Sequence, residues 1–168
     1  GCERGDTLAV RFDWIDPWRY GFSGILPGIG PLGDSQKWAD CAEPHVQVIE
    51  HLPGPSGHTR DGKGKYSDKL TWDLQPFCGT LACAPEREVF TSLLGQGPFG
   101  GNIDCRDVRA GHTIFLNSYH DGGMLYVGDI HGGQGDTEFT GIADETRATV
   151  QMSCTVIKDQ HAPCVRIE

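Results

Sequence analysis

The sequence predicts an all-β fold of the sandwich or barrel kind, and three observations carry that expectation. Short stretches rich in β-branched and aromatic residues recur along the chain, turn residues separate them, and no segment keeps a 3.6-residue apolar period for three turns. Glycine supplies 24 and proline 10 of the 168 residues, too many for long helices and too irregular for collagen.

Residues 7–15 (Thr-Leu-Ala-Val-Arg-Phe-Asp-Trp-Ile) alternate as a half-buried strand does, and residues 45–50 (His-Val-Gln-Val-Ile-Glu) alternate cleanly. Residues 69–74, 113–116, 124–129 and 148–157 give four more strands, and 164–168 begins another. A turn near 36–41 is the one place where helix is expected. Residues 52–65 are polar, with four glycines and two prolines, and read as an exposed hairpin excursion. Neither side of it has a separate core pattern, so the chain reads as a single β-rich domain over 1–168. A chain of that size buries a real core without disulfide or metal staples.

With 14 Lys and Arg against 23 Asp and Glu, the net charge is −9. The cations are scattered, which argues against a nucleic-acid surface and favours cations or neutral small molecules as partners. No window approaches 18 uninterrupted apolar residues, so no membrane span is expected. Seven cysteines without a CxxC pair read as buried reduced thiols, with a Cys78–Cys83 disulfide as the alternative. Reduced thiols and a start without an export signal favour the cytoplasm.

The stretch from Gly128 to Phe139 brings one imidazole, three carboxylates and an amide together among four glycines: Asp129, His131, Gln134, Asp136 and Glu138. Set between two apolar segments, it reads as a hairpin loop able to curl around something small. Zn²⁺ would take His131 with carboxylates, whereas Ca²⁺ would prefer oxygen alone; a solvated Gly/Asp turn is the plain reading. In residues 97–107, Asn102 and Asp104 are two apart, which puts both side chains on one face of an extended segment. Residues 18–32 are apolar, aromatic and glycine-rich without strand alternation, and could line a pocket. His45, His51 and His58 read as surface residues, and His112 and His120 lie nearer the polar loops. There is no GxSxG elbow, HExxH or Walker loop.

In order along the chain, five blocks resemble the acetamidase/formamidase family. Glu3-Arg4-Gly5-Asp6-Thr7-Leu8 resembles its Glu-Pro-Gly-Asp strand entry, and residues 21–32 resemble its Pro-Gly-x-Gly-x-Leu segment. Cys78-Gly79-Thr80-Leu81-Ala82-Cys83-Ala84-Pro85 resembles Ile-Gly-Thr-Ile-Gly-Val-Ala-Pro, and Gly100-Gly101-Asn102-Ile103-Asp104 resembles Gly-Gly-Asn-Met-Asp. Residues 127–141 resemble the family's Val-Gly-Asp-Gly-His block and the Gln-Gly-Asp-Gly-Glu that follows it. Phe99 stands where members commonly carry His, and Ile130, Gly132 and Gly133 also depart from the pattern. Family chains extend further at both ends, so the resemblance is to the central portion.

The resemblance implies a β-rich fold and metal-associated hydrolysis of small non-peptide amides of the formamide, acetamide or lactam type. It implies Asp104, Asp129 and His131 as ligands of a divalent metal, Zn²⁺ or alternatively Ca²⁺. Glu138 is the expected general base, with Asp136 beside it in the catalytic set, and Asn102 and Gln134 orient substrate or oxyanion. Expected partners are the amide and either further copies of this chain or a companion chain that supplies the missing flanks. The competing expectation is a non-catalytic β-sandwich module. A cupin-like site lacks its paired histidine.

Overall fold

Alternation in the sequence becomes a strand where it is strongest. The computed structural model describes residues 1–33, 43–91 and 94–168, and its first strand, β1, runs Thr7–Pro17. Leu8, Val10 and Phe12 are buried while Arg11 and Asp13 are exposed, as a side-chain period of two requires. The strands form two antiparallel sheets. Among the described residues, helix is confined to the single turn α1 (Gly30–Gly33) and a 3₁₀ turn, Thr59–Asp61. None of it is long and apolar enough to cross a membrane. The turn expected near 36–41 lies outside the described residues, as does Cys41.

By its internal contacts the chain divides into two units: Gly1–Ile15, Phe77–Asp129 and Val150–Glu168 in the first, Asp16–Pro76 and Ile130–Thr149 in the second. In the first unit β1 pairs with β9 (Thr113–Asn117), from Thr7 opposite Asn117 to Arg11 opposite Thr113. β12 (Ala148–Ile157) flanks β1, and β13 (Arg166–Ile167) flanks β9. This register puts Leu8 opposite Leu116 and Val10 opposite Ile114, so one face collects buried aliphatic residues. Each contributes roughly 1.5–3 kcal/mol relative to an exposed side chain.

β6 (Phe77–Ala82) is buried at every position and pairs with β8 (Gly100–Asn102), which pairs in turn with β7 (Gln96–Gly97). A strand covered on both faces reads as an unbroken apolar run, and for that reason period-two reading passed over β6. A Cβ on Gly100 would fall 2.2 Å from the Leu81 carbonyl oxygen, and the residue's φ is +99°. Only glycine meets both demands.

In the second unit the order is β5 (Leu70–Asp73), β4 (Lys63–Ser67), β3 (His45–Leu52), β2 (Tyr20–Ile25), β11 (Glu145–Thr146), β10 (Tyr126–His131). β10 begins in the first unit and ends in the second. β3 and β4 pair from Leu52 opposite Lys63, so the hairpin excursion expected over residues 52–65 is confined to 53–62, and residues 63–65 belong to β4. β2 contradicts the expectation of irregular structure over residues 18–32: Tyr20 to Ile25 pair residue by residue with Glu50 to His45. Glycines at 21 and 24 hid that strand, because they remove the side chains that alternation is read from. The interior of this unit is partly polar, with His51, His131 and Asp144 buried beside Ile49, Leu74 and Ile130.

Candidate functional site

β10 carries His131 as its last residue, so the imidazole stands on a strand and not in the glycine loop that the sequence suggested. Pairing with β11 is the reason: His131 is opposite Glu145, and Ile130 is opposite Thr146. Opposed residues project to the same face, and His131 Nε2 lies 3.2 Å from Glu145 Oε2. Glu138, from the connecting loop, completes a group whose ligand atoms all lie within 4.8 Å of one another. His131 is buried and the two glutamates are half-buried. One imidazole nitrogen with two carboxylates is a donor set of the type that holds a borderline divalent ion. The residues present fit Zn²⁺ in type and mutual spacing, whereas an all-oxygen Ca²⁺ set would leave His131 unused.

On the other face of β11, Asp144 meets His51. His51 Nε2 lies 3.0 Å from Asp144 Oδ2 and 3.2 Å from Oδ1, and His51 Nδ1 donates to the Trp18 carbonyl at 2.6 Å. Burial alone would hold His51 neutral, but the Asp144 carboxylate and the Trp18 carbonyl outweigh it, and its pKa is raised. Burial also pushes the Asp144 carboxyl up, against the pull of His51. The expectation of a surface His51 is therefore corrected: it is 1% exposed. His45 and His58 are exposed, as expected. Trp18 and Arg19 line a cavity of about 440 Å³ with Asp16, His58 and Arg147, whereas residues 20–32, included in the pocket reading, do not line it.

Within the first unit, Asn102 and Asp104 do come together: Asn102 Nδ2 donates to Asp104 Oδ2 at 2.8 Å. A turn does this, not strand alternation. β8 ends at Asn102, Ile103 and Asp104 both donate their backbone N–H to the Gly79 carbonyl (2.8 and 3.1 Å), and Asp104 takes φ +48°. Thr80, opposite Asn102 in the β6–β8 ladder, donates its hydroxyl to Asn102 Oδ1 at 2.6 Å. Asp129 is exposed and also has positive φ, +56°. Left-handed backbone at two non-glycine carboxylates costs of order 1–3 kcal/mol each and concentrates at functional positions.

Burial, with the charges of Asp129 and Asp104 adding to it, pushes the Cys78 thiol up to about 12, so Cys78 is a neutral thiol. The cysteine expectation is met in part. Cys78 and Cys83 are buried and separate, which removes the disulfide alternative, but Cys154 and Cys164 are exposed.

Asp136 is exposed and Gln134 half-buried in the loop that carries Glu138. His120 contacts the Pro85 carbonyl through Nε2 at 2.8 Å, a structural bond. Sequence reasoning missed Glu145, Asp144 and His51. Glu145 lies in β11, a strand of two residues too short for any periodicity, Asp144 immediately precedes it, and His51 lies in β3 one residue beyond the run 45–50 in which the alternation was read.

Known proteins resemble this chain in sequence and in fold. The model of the Acetamidase/Formamidase family matches residues 97–165. The Schizosaccharomyces pombe protein called "Putative formamidase C869.04" is 34% identical over 205 residues, covering 95% of this chain and 50% of that protein. The crystal structure of an acetamidase from Bacillus halodurans superposes with a TM-score of 0.87 at 30% identity, over 100% of this chain and 52% of the other. For an acetamidase from Yersinia enterocolitica the TM-score is 0.85 at 29% identity, over 100% and 50%. The chain thus spans about half the length of the relatives it matches.

Proposed function

We propose, from the premise that this chain resembles the acetamidase/formamidase family and carries that family's sequence over residues 97–165, that it forms part of a hydrolase of small non-peptide amides. The observation that carries the reading is the His131, Glu138 and Glu145 group within 4.8 Å, two of whose members, His131 and Glu138, belong to the family-like block 127–141.

His131 and Glu145 would hold a divalent ion, Zn²⁺ by donor type, and Asp104 and Asp129 remain proposed ligands on the strength of the resemblance. Such an ion, when bound, supplies Lewis acidity that acidifies water and polarises a carbonyl. The chain's own residues handle the protons. Glu138 takes a proton from the attacking water as the new C–O bond forms, then delivers it to the departing nitrogen as the C–N bond breaks. The products are a carboxylate and ammonia, or an amine. Asp136 is the second proposed proton-handling group, and Asn102 and Gln134 are the amide side chains proposed to orient the substrate. The substrate is a formamide-, acetamide- or lactam-type amide. Beside the amide, the proposed partners are further copies of this chain or a companion chain.

The test is ammonia release from formamide and acetamide by the protein as purified and after chelation, with bound zinc measured in parallel for the parent and His131→Ala. The reading expects both treatments to abolish turnover and the substitution to remove zinc. A chelated, metal-free protein with full activity would sink it.

A further inference from the structure

We propose that the buried His51–Asp144 pair is a positioning device for His131 and Glu145; this rests on the cation-holding reading of that group. Four observations, all within the second unit, converge on it. Asp144 immediately precedes Glu145, and its backbone closes the β10–β11 turn from both sides: Gly132 N–H donates to the Asp144 carbonyl at 2.8 Å, and Asp144 N–H donates to the Gly133 carbonyl at 3.2 Å. The residues flanking this closure are His131 on one strand and Glu145 on the other.

Strand alternation sends the Asp144 side chain to the face opposite Glu145, where His51 receives it with both carboxylate oxygens within 3.2 Å of Nε2. His51 is itself fixed at two points, through Nδ1 to the Trp18 carbonyl and through its backbone N–H to the Arg19 carbonyl at 2.8 Å. The imidazole therefore ties β11 to the turn between β1 and β2.

The space is built for the carboxylate. A Cβ on Gly21 would fall 2.1 Å from Asp144 Oδ1, and one on Gly132 would fall 2.5 Å from Oδ2. Two neighbouring backbone segments thus leave out a side chain at the points where the acid lies between them. A hydrogen-bonded pair buried to this degree has a defined geometry, because rotating either group leaves a buried polar atom unmatched. It holds the backbone from which His131 and Glu145 project, and neither member belongs to the ligand group. Outer partners of this kind set ligand orientation, and their loss costs about 10–100-fold in metal affinity.

The experiment measures zinc affinity by chelator competition, together with thermal stability, for the parent, His51→Ala, His51→Asn, Asp144→Ala, Asp144→Asn, the double alanine variant and His131→Ala. His51→Asn keeps a donor near the Nδ1 position for the Trp18 carbonyl and deletes the group that meets Asp144, so it reports even if the alanine variants do not fold. The expected result is a loss of about 10–100-fold in His51→Asn and in each single alanine variant, with the double variant no weaker than the worse single one. Asp144→Asn should retain most of the affinity, because an amide can donate to Nε2 of a neutral imidazole that still donates from Nδ1. Folded His51→Asn and Asp144→Ala proteins with parental zinc affinity overturn the positioning role, provided His131→Ala loses zinc. If His131→Ala also binds zinc like the parent, the cation reading has failed and the positioning role falls with it.

Discussion

Gly79 lies against Asp129 so closely that a Cβ on it would stand 2.5 Å from Asp129 Oδ2, and the same atom would stand 2.7 Å from Asp104 Oδ1. Two carboxylates thus converge over one bare position of β6. Gly79→Ala is expected to displace both without unfolding β6. Misplacement of reacting groups by about 1 Å costs on the order of 10²-fold in rate, so ammonia release should fall by about that factor while far-ultraviolet circular dichroism stays parental. Parental turnover in Gly79→Ala would remove the Asp104–Asp129 pair from the mechanism.

Glu138 and His131 should separate by phenotype. Glu138→Gln keeps the shape but cannot take a proton, and a general base contributes typically 10²–10⁴-fold, so turnover should drop by about that much with zinc content close to parental. His131→Ala should lose zinc and turnover together. Elemental analysis beside an ammonia assay checks both; zinc loss in Glu138→Gln would instead make Glu138 a ligand.

Asp6 gives the clearest pH dependence. Its carboxylate accepts hydrogen bonds from Lys158 Nζ (2.8 Å), Glu3 N–H (2.8 Å) and Asp159 N–H (3.1 Å). These partners, Lys158 first, lower its pKa from 3.8 to about 2. A depressed carboxyl stabilises the fold above its unfolded pKa, and that contribution fades as pH falls through the folded value. Asp6→Asn should therefore lower Tm at pH 7 and converge on the parent as pH approaches 2. Parallel melting curves from pH 2 to 7 test it, and a constant gap in Tm would refute the assignment.

Thiol reactivity should follow burial. Burial pushes both Cys78 and Cys83 up to about 12, and the thiolate is the reactive form. Burial also raises Cys154, although that residue is exposed. Among the described cysteines, Cys164 should alkylate first at pH 8, and Cys78 and Cys83 only on denaturation. Peptide mass mapping after timed alkylation reads the order, and early labelling of Cys78 would contradict the packing of β6.

Gly100→Ala should be a stability variant. The side chain would meet the Leu81 carbonyl oxygen and would sit at φ +99°, a strain of at least about 1–3 kcal/mol. At roughly 2–4 °C per kcal/mol for a chain of this size, the loss should be evident in a thermal melt. An unchanged Tm would show that β8 shifts freely against β6.

Much of this molecule was legible from one dimension. β1, β3 and β9 each display the alternation of a strand with a buried face, β12 alternates between half-buried and exposed residues over its first six positions, and alternation is a local property. The residues 128–138 and 102–104 were recognisable as chemistry because glycine, carboxylate and imidazole were concentrated there, and the matching family blocks supported them. What the sequence could not carry were relations that depend on which strand lies beside which. β6 is covered on both faces and β2 is thinned by glycines, so neither shows a period. β11 has two residues, yet it brings Glu145 opposite His131 and Asp144 against His51. Local chemistry determined which residues could act. Register across the β10–β11 pair decided which of them meet, because a shift of one residue would exchange Glu145 for Asp144 on the face that His131 occupies.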